Sequence, residues 1–169
     1  KRPSGAAPAV CAAAGGLPFQ DDAFDASLAV LTVHHWADKA AGLRELRRVA
    51  RGPVVLLTCD PAARPWLTDY LPELATLDAA QMPRLDVYAD VLGPVRVEPV
   101  LVPHDCTDGF LYAYWRRPQV YLDARARSGS SSFWALGEAV KPGLARLAAD
   151  IESGAWDQRH GHLRTLDAY

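Results

Sequence analysis

A near-continuous apolar run over residues 26–33, ending in His34-His35-Trp36, constrains the fold of this chain more than any other feature. A strand that is apolar at successive positions needs cover on both faces, which is the situation of a parallel sheet flanked by helices. Polar side chains at the end of such a strand stand at the carboxyl edge of the sheet, where open α/β sheets collect their ligands. The run is preceded by Leu17-Pro18-Phe19 and by an acidic turn, Gln20-Asp21-Asp22-Ala23, that leads into Phe24-Asp25.

The residues that follow complete a strand, helix and strand. A helix is expected over 38–51: Asp38 can cap its start, Ala40, Leu43, Leu46 and Ala50 recur at helical spacing, and Gly52-Pro53 ends it. Residues 54–58 read as a second apolar strand, closing with Cys59-Asp60-Pro61. Elements of these lengths form a right-handed parallel crossover. A short strand over 8–14, broken by Gly15-Gly16, is expected upstream. Downstream, helices are expected over 66–80, 110–122, 133–151 and 156–168, a strand over 95–102, and a flexible break at 128–132. The alternation predicts a doubly wound, mostly parallel α/β sheet, incomplete at its amino-terminal side, within one domain spanning 1–169.

Length and charge narrow the function. The 169 residues suffice for one ordinary domain with a sizeable core. Half the residues are hydrophobic, yet no apolar segment approaches the roughly 20 residues that cross a bilayer, so no membrane partner is expected. Eighteen basic residues stand against 20 acidic ones, for a net charge of −2. They are dispersed except for Arg44, Arg47, Arg48 and Arg51, which read as a solvated helix face; nucleic acid is a poor partner for such a surface. Three separated cysteines, Cys11, Cys59 and Cys106, make a poor disulfide framework or zinc site. A reduced, cytoplasmic setting without a bound metal fits them best. The chain begins at Lys1 with a polar Pro/Gly/Ala segment, from which the true amino terminus is expected to lie upstream.

The order Leu-Pro-Phe, acidic turn, Phe-Asp, apolar strand, His-His-Trp, helix, Arg48-Val49 and strand resembles the class I S-adenosylmethionine-dependent methyltransferases, in particular the small-molecule group called type 11. The resemblance covers mainly residues 10–60. It implies a Rossmann-like fold, S-adenosylmethionine as cofactor, a small-molecule methyl acceptor, and residues 104–169 as a helical acceptor-side or lid segment. Family members open with a strand and a glycine-rich loop, and none of the 12 glycines here forms a Gly-x-Gly pair. Alignment on Leu17-Pro18-Phe19 places Ala13 and Ala14 where the family carries Asp-Ala beside the adenine. Ala14 can still offer its backbone, whereas Ala13 cannot accept the adenine amino group, a loss of about 1 kcal/mol. The resemblance makes Ala13, Ala14, Leu17, Thr32 and Val33 the cofactor-binding positions. His34 or His35 is then the base or acceptor-orienting group, with Trp36, His104, Tyr112 and Trp115 on the acceptor side.

Each of these positions has a plainer reading. His34, His35 and Trp36 also fit a packing cluster at a helix start. His104 and Cys106, two apart on an expected strand, share a face and admit an acceptor edge, a Cys/His nucleophilic pair or a metal site. A thiolate nucleophile needs an oxyanion stabiliser and a metal needs further ligands, and neither is apparent nearby. Phe110, Tyr112, Tyr114, Trp115 and Tyr121 suit helix core packing as well as a flat acceptor. Two other functions follow from these alternatives: a non-catalytic methyltransferase-like module and a Cys106-dependent hydrolase. An exposed sheet edge would in either case invite self-association.

Overall fold

The computed structural model describes Gly5 and residues 7–169. The chain divides into two compact units, the first formed by residues 1–60 and 81–95 and the second by 61–80 and 96–169.

The first unit contains the strand, helix and strand. Strand β1 (Ser27–Val30) pairs in parallel with β2 (Val54–Leu57), with Leu28 opposite Val55 and Val30 opposite Leu57. Between them runs helix α1 (Lys39–Val49), whose first turn is capped by the Asp38 carboxylate accepting the Ala41 N–H at 2.8 Å. The helix ends before Gly52-Pro53, as its sequence requires. Beyond the expected elements lies a helix α4 (Leu85–Leu92), which packs on α1. One core forms here from Ala29, Val33, Leu43 and Tyr88, with Trp36, Leu46, Leu56, Leu85, Val91 and Leu92 around it.

Two expectations are corrected in this unit. The apolar run is expected to be strand through Val33, but β1 stops at Val30 because Leu31 turns left-handed at φ 45°. Residues 8–14 are not a strand; they are irregular and mostly exposed. Among the described residues β1 alternates buried and exposed, and one face of the sheet is left open, with Leu28 65%, Val30 50% and Val55 52% exposed. The parallel α/β expectation holds.

The second unit is helical. Helices α2 (Leu67–Tyr70) and α3 (Pro72–Gln81) replace the single helix expected over 66–80. Leu71, which precedes Pro72, leaves the helical region at φ −122° and ψ 69°, because the proline ring crowds the residue before it. Residues 110–122, expected as one helix, are turns over 111–116 followed by a 3₁₀ segment, Pro118–Leu122. Then come α5 (Ala124–Ser128), α6 (Ser131–Leu136), the 3₁₀ segment Gly137–Val140, α7 (Lys141–Ser153), α8 (Ala155–His160) and a last 3₁₀ segment, Gly161–Thr165. Gly154, at φ 79°, makes the corner between α7 and α8, a conformation that side chains disfavour. No strand forms over 95–102. Extended chain there pairs only at its end, through Val102 and His104 with Tyr169 and Asp167, around an isolated Pro103–Ala168 bridge.

An aromatic core holds this unit together. Trp66 meets Tyr70, Tyr121 and Trp156 edge-on, at centroid distances of 6.0, 5.7 and 5.2 Å. Such pairs add about 0.5–1.5 kcal/mol each beyond their buried area. Among the described residues no helix is long and apolar enough to cross a membrane.

Candidate functional site

The first unit gathers its polar chemistry at the carboxyl ends of β1 and β2. Leu31 donates its N–H to the Leu57 carbonyl at 2.9 Å while holding its left-handed conformation. A leucine there is strained by about 1–2 kcal/mol, and such strain collects at functional sites. The turn ends the strand and delivers Thr32 and the 3₁₀ segment Val33–His35. Two bonds close that segment: His35 N–H to the Thr32 carbonyl at 2.9 Å, and Trp36 N–H to the Val33 carbonyl at 3.1 Å.

Val33 anchors the turn in the core. His34 is half-buried and His35 exposed, their rings in contact at 3.9 Å between centroids and tilted by 48°. Trp36 lies back on α1 over Gly42. A Cβ at Gly42 would fall 2.7 Å from Trp36 Cζ3 and closer still to Cε3, so only glycine lets the ring seat there. Trp36 therefore packs on α1, while His34 and His35 stand in the 3₁₀ segment that follows the end of β1. At the end of β2, Thr58 Oγ1 and the buried Tyr88 Oη share a hydrogen bond of 3.2 Å. Burial raises the Tyr88 phenol pKa above its ordinary value, and the bond from Thr58 opposes it.

The 13–17 segment is fastened to α1. It turns through Gly16 N–H to the Ala13 carbonyl at 3.1 Å, and Leu17 N–H then donates to Glu45 Oε2 at 2.7 Å. Arg48 continues the fastening. Its Nη2 donates to the Leu17 carbonyl at 3.0 Å and to Glu45 Oε2 at 2.8 Å, and its Nη1 to the Phe19 carbonyl at 2.7 Å and Asp21 Oδ1 at 2.8 Å. Nε closes the fork on Glu45 Oε1 at 2.6 Å. The Arg48 hydrogen bond, followed by that of the Leu17 amide, lowers the Glu45 carboxyl to about 2, and the Arg48 pKa is raised by Glu45 and Asp21 in return.

The reading of the four arginines as a solvated face holds for the exposed Arg44, Arg47 and Arg51 and is corrected at Arg48, which is half-buried. Arg48 binds the turn, Arg47 donates to the Ala50 carbonyl, and Arg51 pairs with Asp25, while Arg44 stays exposed. The signal for this was in the sequence as Glu45 and Arg48 three apart on one helix face.

The acceptor-side residues named from sequence lie in the second unit, apart from Trp36. His104 is half-buried in a turn rather than at a strand end; the Cys106 N–H bonds the Pro103 carbonyl at 3.1 Å. Tyr112 is half-buried and donates to Asp78 Oδ2 at 2.8 Å. Trp115 is 2% exposed, with its indole N–H on the Val102 carbonyl at 2.9 Å and its own carbonyl accepting from Trp66 Nε1 at 2.8 Å. Burial and committed polar atoms make Trp115 a core residue with nothing left for an acceptor. Among the described residues no His, Cys, Asp and Glu side chains cluster as a metal would require.

Comparison with known proteins agrees with this geometry. Residues 1–57 match the family model described as a methyltransferase domain. A protein from Anabaena variabilis, whose crystal structure is provisionally described as that of a methyltransferase from an antibiotic biosynthesis pathway, is 36% identical, with a TM-score of 0.82. That match covers 92% of this chain and 66% of the relative, so the chain spans somewhat less than two thirds of that protein's length. No curated protein matches the chain. The parallel strand, helix and strand and the matched family model agree: the chain has a methyltransferase fold and is similar, over residues 1–57, to the methyltransferase domain family.

Proposed function

We propose that the protein transfers a methyl group from S-adenosylmethionine to a small-molecule acceptor. The observation that carries this reading is the left-handed turn at Leu31, which ends β1 early and sets Thr32, Val33, His34 and His35 at the carboxyl edge of the parallel pair. The affiliation of the Anabaena relative with antibiotic biosynthesis supports a natural-product acceptor.

The residues present fit the cofactor in part. The 13–16 turn carries only alanine and glycine, with Ala14 half-buried, so its backbone is open to a flat ring. Ala13 brings no carboxylate to hold an amino group, and binding there loses about 1 kcal/mol relative to an aspartate. Ala13, Ala14 and Leu17 would hold the adenine end, and Thr32 and Val33 the methionine end. S-adenosylmethionine supplies, when bound, an activated methyl group on a sulfonium. In-line transfer asks the protein mainly for alignment and exclusion of water. His34 or His35 takes the proton from an acceptor hydroxyl or amine, a task an imidazole performs near neutral pH. Trp36, seated on Gly42, holds the exit of that turn.

The test is the double substitution His34→Ala with His35→Ala. Turnover is expected to fall at least about 100-fold, the range of a lost general base, with cofactor affinity little changed. Unchanged turnover sinks the base assignment. A second reading, a non-catalytic methyltransferase-like module, is favoured by the absence of a carboxylate at Ala13, and failure of the whole protein to bind the cofactor would select it.

A further inference from the structure

Residues 7–13 are exposed and lack regular structure, so this segment gains little order from apolar burial. What fixes the turn that follows is polar. The two oxygens of Glu45 and the three nitrogens of Arg48 form one fork on α1, and the fork closes on the Leu17 N–H, the Leu17 and Phe19 carbonyls and Asp21. A planar guanidinium reaches that many acceptors at once, whereas a single ammonium does not.

We propose that Glu45 and Arg48 are positioning residues of the cofactor site, holding the 13–17 turn in the conformation that receives the adenine end. The proposal rests on the reading that this turn meets the cofactor. Neither side chain touches the ligand; each acts through the backbone of Leu17. A turn ordered in advance does not have to be ordered by the ligand, and affinity rises accordingly. The fork is also stable to acid. Glu45 has its carboxyl lowered to about 2, so it stays ionised in the folded protein down to about that pH, while the stability it adds is complete above about 4.5 and declines as pH falls from there through about 2. Cofactor affinity should therefore show no step from Glu45 across the ordinary glutamate range.

The experiment titrates S-adenosylhomocysteine calorimetrically into the protein made from its complete reading frame and into four variants: Arg48→Ala, Arg48→Lys, Glu45→Gln and Arg44→Ala. Amide exchange at Leu17 and melting temperature are followed in parallel. Arg48→Ala and Arg48→Lys are expected to weaken binding about tenfold or more and to speed exchange at Leu17. Glu45→Gln keeps one carbonyl for the Leu17 N–H and should fall between these and the unaltered protein. Arg44→Ala removes the same charge from an exposed position of the same helix and should bind as the unaltered protein does. Should Arg48→Ala fail to fold, Arg48→Lys and Glu45→Gln carry the comparison.

Equal affinity across the variants, despite faster exchange at Leu17, overturns the positioning role and leaves the cofactor reading standing. An equal loss in Arg44→Ala also overturns it, by tracing the effect to general charge. Absence of binding by the unaltered protein overturns the cofactor reading, and the positioning role with it.

Discussion

Gly42→Ala is the substitution for which the structure and simple helix propensity predict opposite signs. In an unobstructed helix interior, alanine in place of glycine stabilises by about 1 kcal/mol. At Gly42 the new methyl would meet the Trp36 ring, 2.7 Å from Cζ3 and 3.1 Å from Cδ2. Either Trp36 leaves its seat or α1 moves, and overpacking of this kind costs about 1–3 kcal/mol. The net expectation is a loss of about 0–2 kcal/mol, or at ~2–4 °C per kcal/mol a fall in melting temperature of up to about 8 °C. Because Trp36 N–H also closes the Val33–His35 segment, displacement of the ring should disturb the histidines and reduce turnover. Thermal and urea unfolding, with tryptophan fluorescence, read the first effect. A double-mutant cycle reads the cause: in a Trp36→Ala background, Gly42→Ala should revert to stabilising by about 1 kcal/mol. Stabilisation by Gly42→Ala alone, with unchanged fluorescence, would refute the close approach of Trp36 to α1.

Three further outcomes are expected. Burial lowers the His160 pKa, Arg159 and His162 lower it further, and Asp69 at 3.6 Å opposes them. The unfolded chain then takes up a proton near 6.5 that the folded one resists, so this contribution is complete above about 6.5 and declines as pH falls below it; urea titrations should show that decline in the protein and not in His160→Gln. Trp115→Phe should cost about 1–3 kcal/mol through the lost volume and the lost indole N–H bond to the Val102 carbonyl, which keeps its bond from the Tyr169 N–H, with acceptor kinetics unchanged below the melting transition; a selective rise in acceptor KM would return Trp115 to the acceptor side. Leu28→Lys combined with Val55→Lys should change stability by less than about 1 kcal/mol, because both sites are exposed, and should reduce self-association in sedimentation; a severe loss of stability would mean that this sheet face is covered.

Local signals gave the strand, helix and strand of residues 27–57, though not the structure of 8–14, for identifiable reasons. Asp38 caps α1 through its own carboxylate, and Gly52-Pro53 stops it, both properties of single residues. The boundary of β1 was missed because a leucine in a left-handed turn looks, in sequence, like one more apolar strand residue. Arg48 was misread because its partners, Leu17, Phe19 and Asp21, lie far from it in sequence and meet it only in the folded chain. Past Asp60 two of the long helices expected from apolar spacing are cut by Pro72 and Pro118, whose effect on the preceding residue outweighs periodicity, and the helix expected over 133–151 is broken at Gly137, at φ 52°. The expected strand over 95–102 has β-branched residues but only the carboxyl-terminal residues to pair with, and pairing rather than propensity makes a strand. Of the acceptor-side residues, sequence could not separate Tyr112 from Trp115, because both are aromatic and only burial tells the core residue from the half-exposed one.

Binding of the methyl donor is the claim on which the rest depends. Calorimetric titration of S-adenosylhomocysteine into the protein made from its complete reading frame tests it most directly. A micromolar dissociation constant, about −8 kcal/mol of binding free energy, is predicted. No detectable heat or saturation at millimolar ligand would contradict methyl transfer and select the non-catalytic module.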